Sequence, residues 1–247
     1  MFEPRLALAS LSGRSDATWA RRASEHAGAA LLGGIALDEP SREAARELVA
    51  RDREEFLPPD PLAFVDDQLA ALSEAPIRPG FNLRASTPAP ISEAATICRA
   101  HDAICEINAH CRQEELCTVG CGETLLRDSD RLREYVRAAA DEGATVSVKV
   151  RAEVEGVDLA ETARAVERAG ADAIHVDAMD SEGVIRDVAD AADLFVIANN
   201  GVRDAASVRE YLAYGADAVS VGRPSDDPRV LARVGETVDR LAREARA

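Results

Sequence analysis

The sequence contains almost no lysine. Of its 29 lysine and arginine residues only Lys149 is a lysine, whereas aspartate and glutamate together number 45, so the formal net charge is −16 at pH 7. A surface this acidic repels nucleic acids in dilute salt. Concentrated salt weakens that repulsion, because the Debye length falls to about 3 Å at 1 M. The composition resembles that of proteins from salt-loving archaea.

Long apolar runs, a secretory leader and a disulfide pattern are missing as well. The longest apolar stretch, residues 28–37, is interrupted by three glycines and is shorter than the roughly 18 residues of a membrane helix. Residues 1–5 lack a basic stretch followed by an apolar one, which a signal peptide requires. Five cysteines in an unsecreted chain favour free thiols. We therefore expect a cytoplasmic protein without a membrane partner.

Aromatic residues are few, at 4% of the chain, and they are scattered along it. The sequence accordingly offers no aromatic platform on which nucleic-acid bases could stack. Hydrophobic residues nevertheless make up 47% of the 247 residues. This content suffices for one sizeable core and excludes a disordered acidic chain.

Short apolar or β-branched runs alternate with amphipathic stretches from one end of the chain to the other. The runs predict eight strands, at residues 5–9, 30–34, 77–83, 103–108, 145–151, 172–177, 194–198 and 217–221. Helix starts are predicted at Asp158, Asp204 and Thr87-Pro88, with Pro88 in the first helical position. Eight strand–helix units in about 250 residues predict an α/β fold, a (β/α)₈ TIM barrel.

The main alternative fold is a doubly wound open sheet. Such a sheet usually has fewer units and a glycine-rich first turn, which residues 9–13 lack. We therefore expect one barrel domain over residues 1–247. Residues 38–76 are long enough for extra helices, and residues 226–247 for one closing helix.

Two loops of this barrel contain glycine in places where such barrels commonly bind phosphate. Asn199-Asn200-Gly201 follows the seventh strand, and Gly222-Arg223-Pro224 follows the eighth. Glycine lets backbone N–H groups approach an anion, and arginine adds charge and bidentate donors. Ordinary surface turns are the alternative interpretation.

Lys149 lies near the end of the fifth predicted strand, where an apolar alternating run directs it to the barrel mouth. Catalytic residues of such barrels come from strand ends. In a chain that otherwise uses arginine, this lysine indicates a need for a compact ammonium, either as a Schiff-base former or facing negative charge on a cofactor. Chance retention of one lysine is the alternative.

A cluster of histidine and cysteine follows the fourth strand. His110, Cys111, Cys117 and Cys121 are potential metal ligands, but the spacing C-x₅-C-x₃-C matches no common zinc or iron–sulfur pattern. We therefore predict free thiols and no metal. Cys111 lies just past the strand end, where it could act as a positioned acid or nucleophile.

Together these segments resemble the tRNA-dihydrouridine synthases, a family of FMN-dependent barrels, over about residues 5–224. Residues 106–111 (EINAHC) resemble the family's (D/E)-I-N-x-G-C-P, and residues 120–128 (GCGETLLRD) resemble its G-x-G-x-x-L-L-x-D. Residues 148–151 (VKVR) resemble V-K-(I/V)-R. Residues 196–201 (VIANNG) and 221–223 (VGR) resemble the two loops that hold the FMN phosphate.

The resemblance implies a role for each matching residue. Cys111 is the general acid that protonates C5 of a uracil ring while flavin N5 passes hydride to C6, and Asn108 positions the substrate. NAD(P)H is the implied reductant. The implied FMN-binding residues are Ala9, Ser10, Leu11, Asn82, Lys149, Asp177, Asn199, Asn200, Gly201, Gly222 and Arg223.

The sequence also departs from the family pattern. Arg112 replaces the proline after the cysteine, His110 replaces the glycine before it, and Asp177 stands where the family has a flavin- or phosphate-contacting histidine. Ser10 replaces a proline and Asn82 a glutamine. The family's helical C-terminal domain, which grips tRNA, is not expected in residues 1–247, as in a shortened archaeal branch.

Several functions therefore stay open. The first is reduction of uridine in tRNA, and its nearest variant is a dihydroorotate dehydrogenase-like flavoenzyme acting on a free pyrimidine. A lyase or aldolase with a Schiff base on Lys149 belongs to a different class. A catalytically silent barrel that binds a phosphorylated ligand or a partner protein is the last.

Overall fold

The computed structural model describes residues 1–244, in which eight parallel strands close into a barrel. Each strand pairs with its neighbours in the sequence, and β1 closes the barrel against β8 through the pair Ala7 and Ser220. The strands are β1 Leu6–Leu8, β2 Ala29–Ala36, β3 Arg78–Arg84, β4 Ile104–Asn108, β5 Thr145–Arg151, β6 Ala173–Asp177, β7 Phe195–Asn199 and β8 Ala218–Val221. The predicted (β/α)₈ TIM barrel is confirmed, and all eight predicted strands are found.

Helices connect the strands. They are α1 Ala17–Ala23, α2 Glu39–Val49, α3 Pro61–Ala70, α4 Ala89–Ala100, α5 Glu114–Thr118, α6 Glu123–Arg127, α7 Ser129–Ala140, α8 Leu159–Ala169, α9 Val184–Ala191, α10 Ala205–Ala213 and α11 Pro228–Glu244. A 3₁₀ helix, Arg223–Asp226, lies between β8 and α11. In the part of the chain that the structure describes, none of these helices has the length and apolar character needed to cross a bilayer.

Two helices, α2 and α3, occupy the region between β2 and β3, and α11 follows β8. The closing helix expected around residues 226–247 is observed over Pro228–Glu244, and residues 245–247 lie outside the described residues. Leu231, Val234 and Val238 form its buried stripe.

Side-chain caps fix two of the predicted helix starts. The Asp158 carboxylate accepts hydrogen bonds from the backbone of Ala160 at 2.8 Å and Glu161 at 3.0 Å, and Asp204 forms a capping box with Ser207. These bonds satisfy backbone donors that the first helical turn leaves free. The prediction for Pro88 was wrong by one residue, because Pro88 itself is the N-cap and α4 begins at Ala89.

The barrel interior has two chemically different layers. Alternate residues of a strand face opposite sides, so Val146, Val148 and Val150 of β5 pack outward against the helices while the residues between them point inward. The inner layer nearer the amino ends of the strands is apolar and is built from Phe2, Ala7, Ala29, Leu31, Ile104, Ile197 and Ala218. The buried layer above it is polar and contains Asn82, Glu106, Asn108, Ser147, Lys149, His175 and Ser220. These buried polar and charged side chains of the barrel interior therefore lie toward the carboxyl ends of the strands.

Candidate active site at the carboxyl ends of the strands

Lys149 lies inside the barrel, between Asn108 of β4 and His175 of β6. It is 4% exposed, and its ammonium makes no hydrogen bond or ion pair within residues 1–244. Burial lowers its pKa, although the Glu106 carboxylate opposes that effect. Because no protein group accepts a hydrogen bond from it, the ammonium is available to a ligand that carries negative charge or a carbonyl oxygen.

A chain of hydrogen bonds runs beneath this lysine and links four strands. Asn108 Nδ2 donates to Asn82 Oδ1 at 2.7 Å, and Asn82 Nδ2 donates to Glu106 Oε1 at 2.7 Å. His175 Nδ1 lies 2.7 Å from Glu106 Oε2, and its Nε2 lies 2.8 Å from Ser220 Oγ. Because nearly all of these polar groups find partners, the network stabilises one arrangement of the polar layer.

Glu106 is the buried anion of this network. Burial raises its pKa, but the adjacent His175 imidazole and the Lys149 ammonium outweigh burial and lower the pKa to about 2. Burial lowers the pKa of His175, which leaves the imidazole neutral at pH 7. A neutral His175 donates from Nδ1 to the carboxylate and accepts at Nε2 from Ser220. The charge of Glu106 therefore balances that of Lys149.

Asn108 also holds the loop that follows β4. Its Oδ1 accepts hydrogen bonds from the backbone N–H groups of His110 at 3.1 Å and Cys111 at 2.9 Å. Two donors occupy both lone pairs of this oxygen, and Nδ2 is engaged with Asn82. The structure therefore uses Asn108 to position the His110–Cys111 backbone.

The Cys111 segment is held from its other side by the loop before α6. The carbonyl oxygen of Cys111 accepts a hydrogen bond from the Glu123 N–H at 2.8 Å. Gly122 has φ +59°, and a Cβ at this position would lie 1.9 Å from the Cys111 carbonyl oxygen. Only glycine fits such an approach. Cys111 itself stays partly exposed.

His110 and Asp177, both departures from the family pattern, contact each other. His110 Nε2 lies 2.7 Å from Asp177 Oδ2, and the two side chains are 29% and 18% exposed. Burial lowers the pKa of His110, against the opposing effect of Asp177. Burial also acts to raise the pKa of Asp177, but the hydrogen bond from His110 and other contacts keep it below the usual value. An imidazole is thus fixed at the mouth between β4 and β6.

The two predicted phosphate loops lie at the outer rim. Asn200 and Gly201 have φ of +88° and +66°, and Tyr211 Oη donates to the Asn200 carbonyl at 2.9 Å. A Cβ on Gly201 or on Gly222 would meet no atom within 4 Å. Arg223 is exposed at the start of the 3₁₀ helix. Open space therefore borders both glycines.

The predicted residues after β1 are next to the second of these loops. The Ala9 N–H donates to the Val221 carbonyl at 2.9 Å, and Ala9 is 2% exposed. Ser10 and Leu11 are partly exposed, and the Leu11 carbonyl accepts from Ser15 Oγ at 2.9 Å. The predicted site residues therefore gather at one end of the barrel, with Asn82 fully buried below it and the two glycine loops at its rim.

One ion pair at this end was missed by the sequence analysis. Arg84, two residues after Asn82 on β3, pairs with Glu55 at 2.7 Å, and both side chains are less than 5% exposed. Arg84 Nε has no partner in the part of the chain described. Burial alone would lower the pKa of Arg84, but the Glu55 carboxylate opposes burial, and the pKa lies above its usual value. The sequence signal for Arg84 was its position two residues after Asn82, which puts both side chains on the same face of the strand. No sequence pattern indicated Glu55.

Three of the remaining cysteines, Cys98, Cys105 and Cys121, are buried. Cys98 and Cys105 are buried in the core, and Cys121 Sγ lies 3.2 Å from the Ala85 carbonyl oxygen. Among residues 1–244, no three histidine, cysteine or carboxylate side chains are grouped as metal ligands.

Comparison with known proteins gives one family and several similar folds. The model of the dihydrouridine synthase (Dus) family matches residues 70–246. An uncharacterised protein of Methanocaldococcus jannaschii is 25% identical over 235 residues, which cover 90% of this chain and 89% of that protein.

Among solved structures, an M276A mutant of FabK from Thermotoga maritima has a TM-score of 0.61 and 18% identity, covering 91% of this chain. This chain spans only 63% of that FabK chain. Morphinone reductase in complex with tetrahydroNAD has a TM-score of 0.64 and 15% identity, covering 94% of this chain and 92% of its own. Thiamine phosphate pyrophosphorylase from Pyrococcus furiosus has a TM-score of 0.56 and 14% identity, covering 96% of each chain. These structures support the barrel fold alone, because one fold hosts many activities.

Proposed function

The chain belongs to the dihydrouridine synthase family, and on that premise we propose that it is a cytoplasmic, FMN-dependent oxidoreductase that reduces the C5–C6 bond of uridine in tRNA. The observation that carries the proposal is the family match together with Lys149, a buried residue whose ammonium makes no hydrogen bond within residues 1–244. Family membership supports a flavin-dependent oxidoreductase, and the tRNA substrate is the finer part of the proposal.

The residues at the mouth fit FMN. Gly201 and Gly222 border open space in which backbone N–H groups and Arg223 can surround a phosphate. Lys149 supplies a cation for the electron-rich edge of the ring. The other residues assigned to the cofactor are Ala9, Ser10, Leu11, Asn82, Asp177, Asn199 and Asn200. When bound, FMN supplies the hydride for C6 of the substrate.

Cys111 is the proposed proton donor. Asn108 fixes its backbone N–H, and Glu123 fixes its carbonyl oxygen. Cys111 Sγ gives its proton to C5 of the uracil ring, and the thiolate regains a proton from solvent because the residue is partly exposed.

Reducing equivalents come from NAD(P)H in this proposal. The family resemblance implies this reductant, and morphinone reductase, whose barrel is similar, was solved in complex with tetrahydroNAD. The reductant and the uridine would use the same end of the barrel, where Lys149 lies.

Binding of tRNA requires cations at the rim. Arg112 and Arg203 are exposed in loops at the carboxyl ends, and Arg223 is exposed at the start of the 3₁₀ helix. Their guanidinium groups form no ion pair within residues 1–244. They are the proposed phosphate contacts. The net charge of −16 opposes a polyanion, so we expect tRNA binding at high salt, as in a halophilic archaeon.

The same net charge favours a second candidate, a flavoenzyme that reduces or oxidises a free pyrimidine. An uncharged base needs no phosphate contacts, and its binding does not oppose the acidic surface.

The absorption spectrum of the protein purified in high salt is the first test. A bound flavin is expected, and failure to bind flavin even after incubation with FMN would refute the proposal. Dihydrouridine in tRNA then separates the two substrates: its loss in a deletion strain supports tRNA, and its persistence beside a flavin-loaded protein favours a free pyrimidine.

A further inference from the structure

His110 is held more rigidly than its place in a loop would suggest. Its backbone N–H donates to Asn108 Oδ1 at 3.1 Å, and its Nε2 lies 2.7 Å from Asp177 Oδ2. Asp177 is held in turn, because its Oδ1 accepts from the Met179 N–H at 3.2 Å. Both ends of His110 are therefore fixed while its side chain stays 29% exposed at the barrel mouth.

The Asp177 contact determines which ring nitrogen of His110 carries the proton. Contacts with its surroundings keep the pKa of Asp177 low, so its carboxylate can only accept a hydrogen bond. Burial keeps the pKa of His110 below its usual value, so the ring is neutral at pH 7. The single ring proton then lies on Nε2, and Nδ1 keeps a bare lone pair. Across the described chain, Nδ1 makes no hydrogen bond.

The neighbouring strand β5 carries a donor, Lys149, that also makes no hydrogen bond within residues 1–244. Lys149 pairs in register with Asn108, two residues before His110, and its charge acts on His110 to lower the histidine pKa. Carboxylates and phosphates only accept hydrogen bonds, so they would satisfy the ammonium and meet the lone pair of Nδ1 unfavourably. A carbonyl beside an N–H satisfies both groups. This O=C–N–H arrangement is the edge of a cyclic imide.

We propose that Lys149 Nζ and His110 Nδ1 together recognise a cyclic imide edge, with Lys149 donating to a carbonyl oxygen and His110 accepting from the adjacent N3–H. Asp177 is the positioning residue that fixes the histidine tautomer. The inference rests on the proposed function, because the flavin ring and the uracil ring both carry such an edge. The experiment must therefore distinguish these two sources.

Two variants remove the acceptor at His110 Nδ1 and leave Lys149 unchanged. His110→Gln keeps an N–H donor that can reach Asp177 but removes the acceptor at the Nδ1 position. Asp177→Asn offers an amide N–H to Nε2, which moves the ring proton to Nδ1 and turns the acceptor into a donor. His101→Gln is the matched control, because His101 forms a similar pair with Asp66 at 2.6 Å outside the mouth.

The measurement is a ratio of dissociation constants from titration calorimetry in high salt. One arm compares FMN with 3-methyl-FMN, and the other compares uridine with 3-methyluridine on the protein incubated with FMN. The wild type and His101→Gln are expected to favour the unmethylated ligand by about 10-fold in one arm. In His110→Gln and Asp177→Asn that ratio falls toward one, while circular dichroism stays that of the wild type.

The arm in which the ratio falls identifies the source of the imide. Equal binding of methylated and unmethylated ligands to the wild type in both arms overturns the inference, as does a ratio that both variants leave unchanged. If the wild-type protein binds FMN but gives either of these two results, the inference is wrong and the proposed function still stands. A wild type that binds no FMN refutes the proposed function, and the uridine arm alone then decides the inference.

Discussion

Replacing Glu106 with glutamine tests whether the barrel interior holds a buried anion. Lowering the pKa of Glu106 from 4.5 to about 2 corresponds to about 3 kcal/mol of the free energy of unfolding at neutral pH. A carboxylate whose pKa is lower in the folded state stabilises the fold above its unfolded pKa. That contribution disappears as the pH falls from 4.5 toward about 2. Glu106→Gln removes the ionisable group with little change of shape.

The expected result is a flatter stability profile. The difference in the free energy of unfolding between the wild type and Glu106→Gln should shrink by about 3 kcal/mol as the pH falls from about 6 to about 2. Urea unfolding followed by the fluorescence of Trp19, the only tryptophan and a buried one, measures it. Glu236→Gln, on an exposed position of α11, is the control. Parallel profiles for the wild type and Glu106→Gln would refute the buried anion.

Three further substitutions test the site. Lys149→Arg keeps the charge but forces a larger, planar group into a 4% exposed position, so the dissociation constant for FMN should rise about 10-fold or more, and unchanged affinity would contradict the role of the compact ammonium. Cys111→Ala should lower dihydrouridine formation by about 100-fold or more while FMN binding and reduction by NAD(P)H persist, and full product formation would exclude the thiol as proton donor. Gly122→Ala should cost about 3 kcal/mol of the free energy of unfolding, because its Cβ would lie 1.9 Å from the Cys111 carbonyl oxygen. Gly156→Ala, at φ +78° in open space, should cost only about 1 kcal/mol, and equal losses would contradict the steric argument.

The barrel could be predicted from the sequence because each strand carries its own local signal. On β5, valines alternate with Ser147, Lys149 and Arg151, which indicates a strand with one face on the helices and the other inside the barrel. The same alternation placed Lys149 at the mouth.

The polar network could not be predicted, because its members are far apart in the chain. His175 is 69 residues from Glu106 and 45 from Ser220, and a single strand does not reveal which way His175 points relative to those partners. His110 and Asp177 are 67 residues apart, and the sequence shows each only as a separate departure from the family pattern. Such contacts follow from barrel closure, which no local pattern encodes.

The apolar inner layer near the amino ends of the strands has a kinetic consequence. Leu31, Ile104 and Ile197 are at most 1% exposed and close that end of the barrel. A reductant and an oxidant that both react near Lys149 therefore reach it through the same open end of the barrel, and we expect each to bind after the other has left. Initial rates are measured while one reactant is varied at several fixed concentrations of the other. The double-reciprocal plots should be parallel lines, the signature of a ping-pong enzyme.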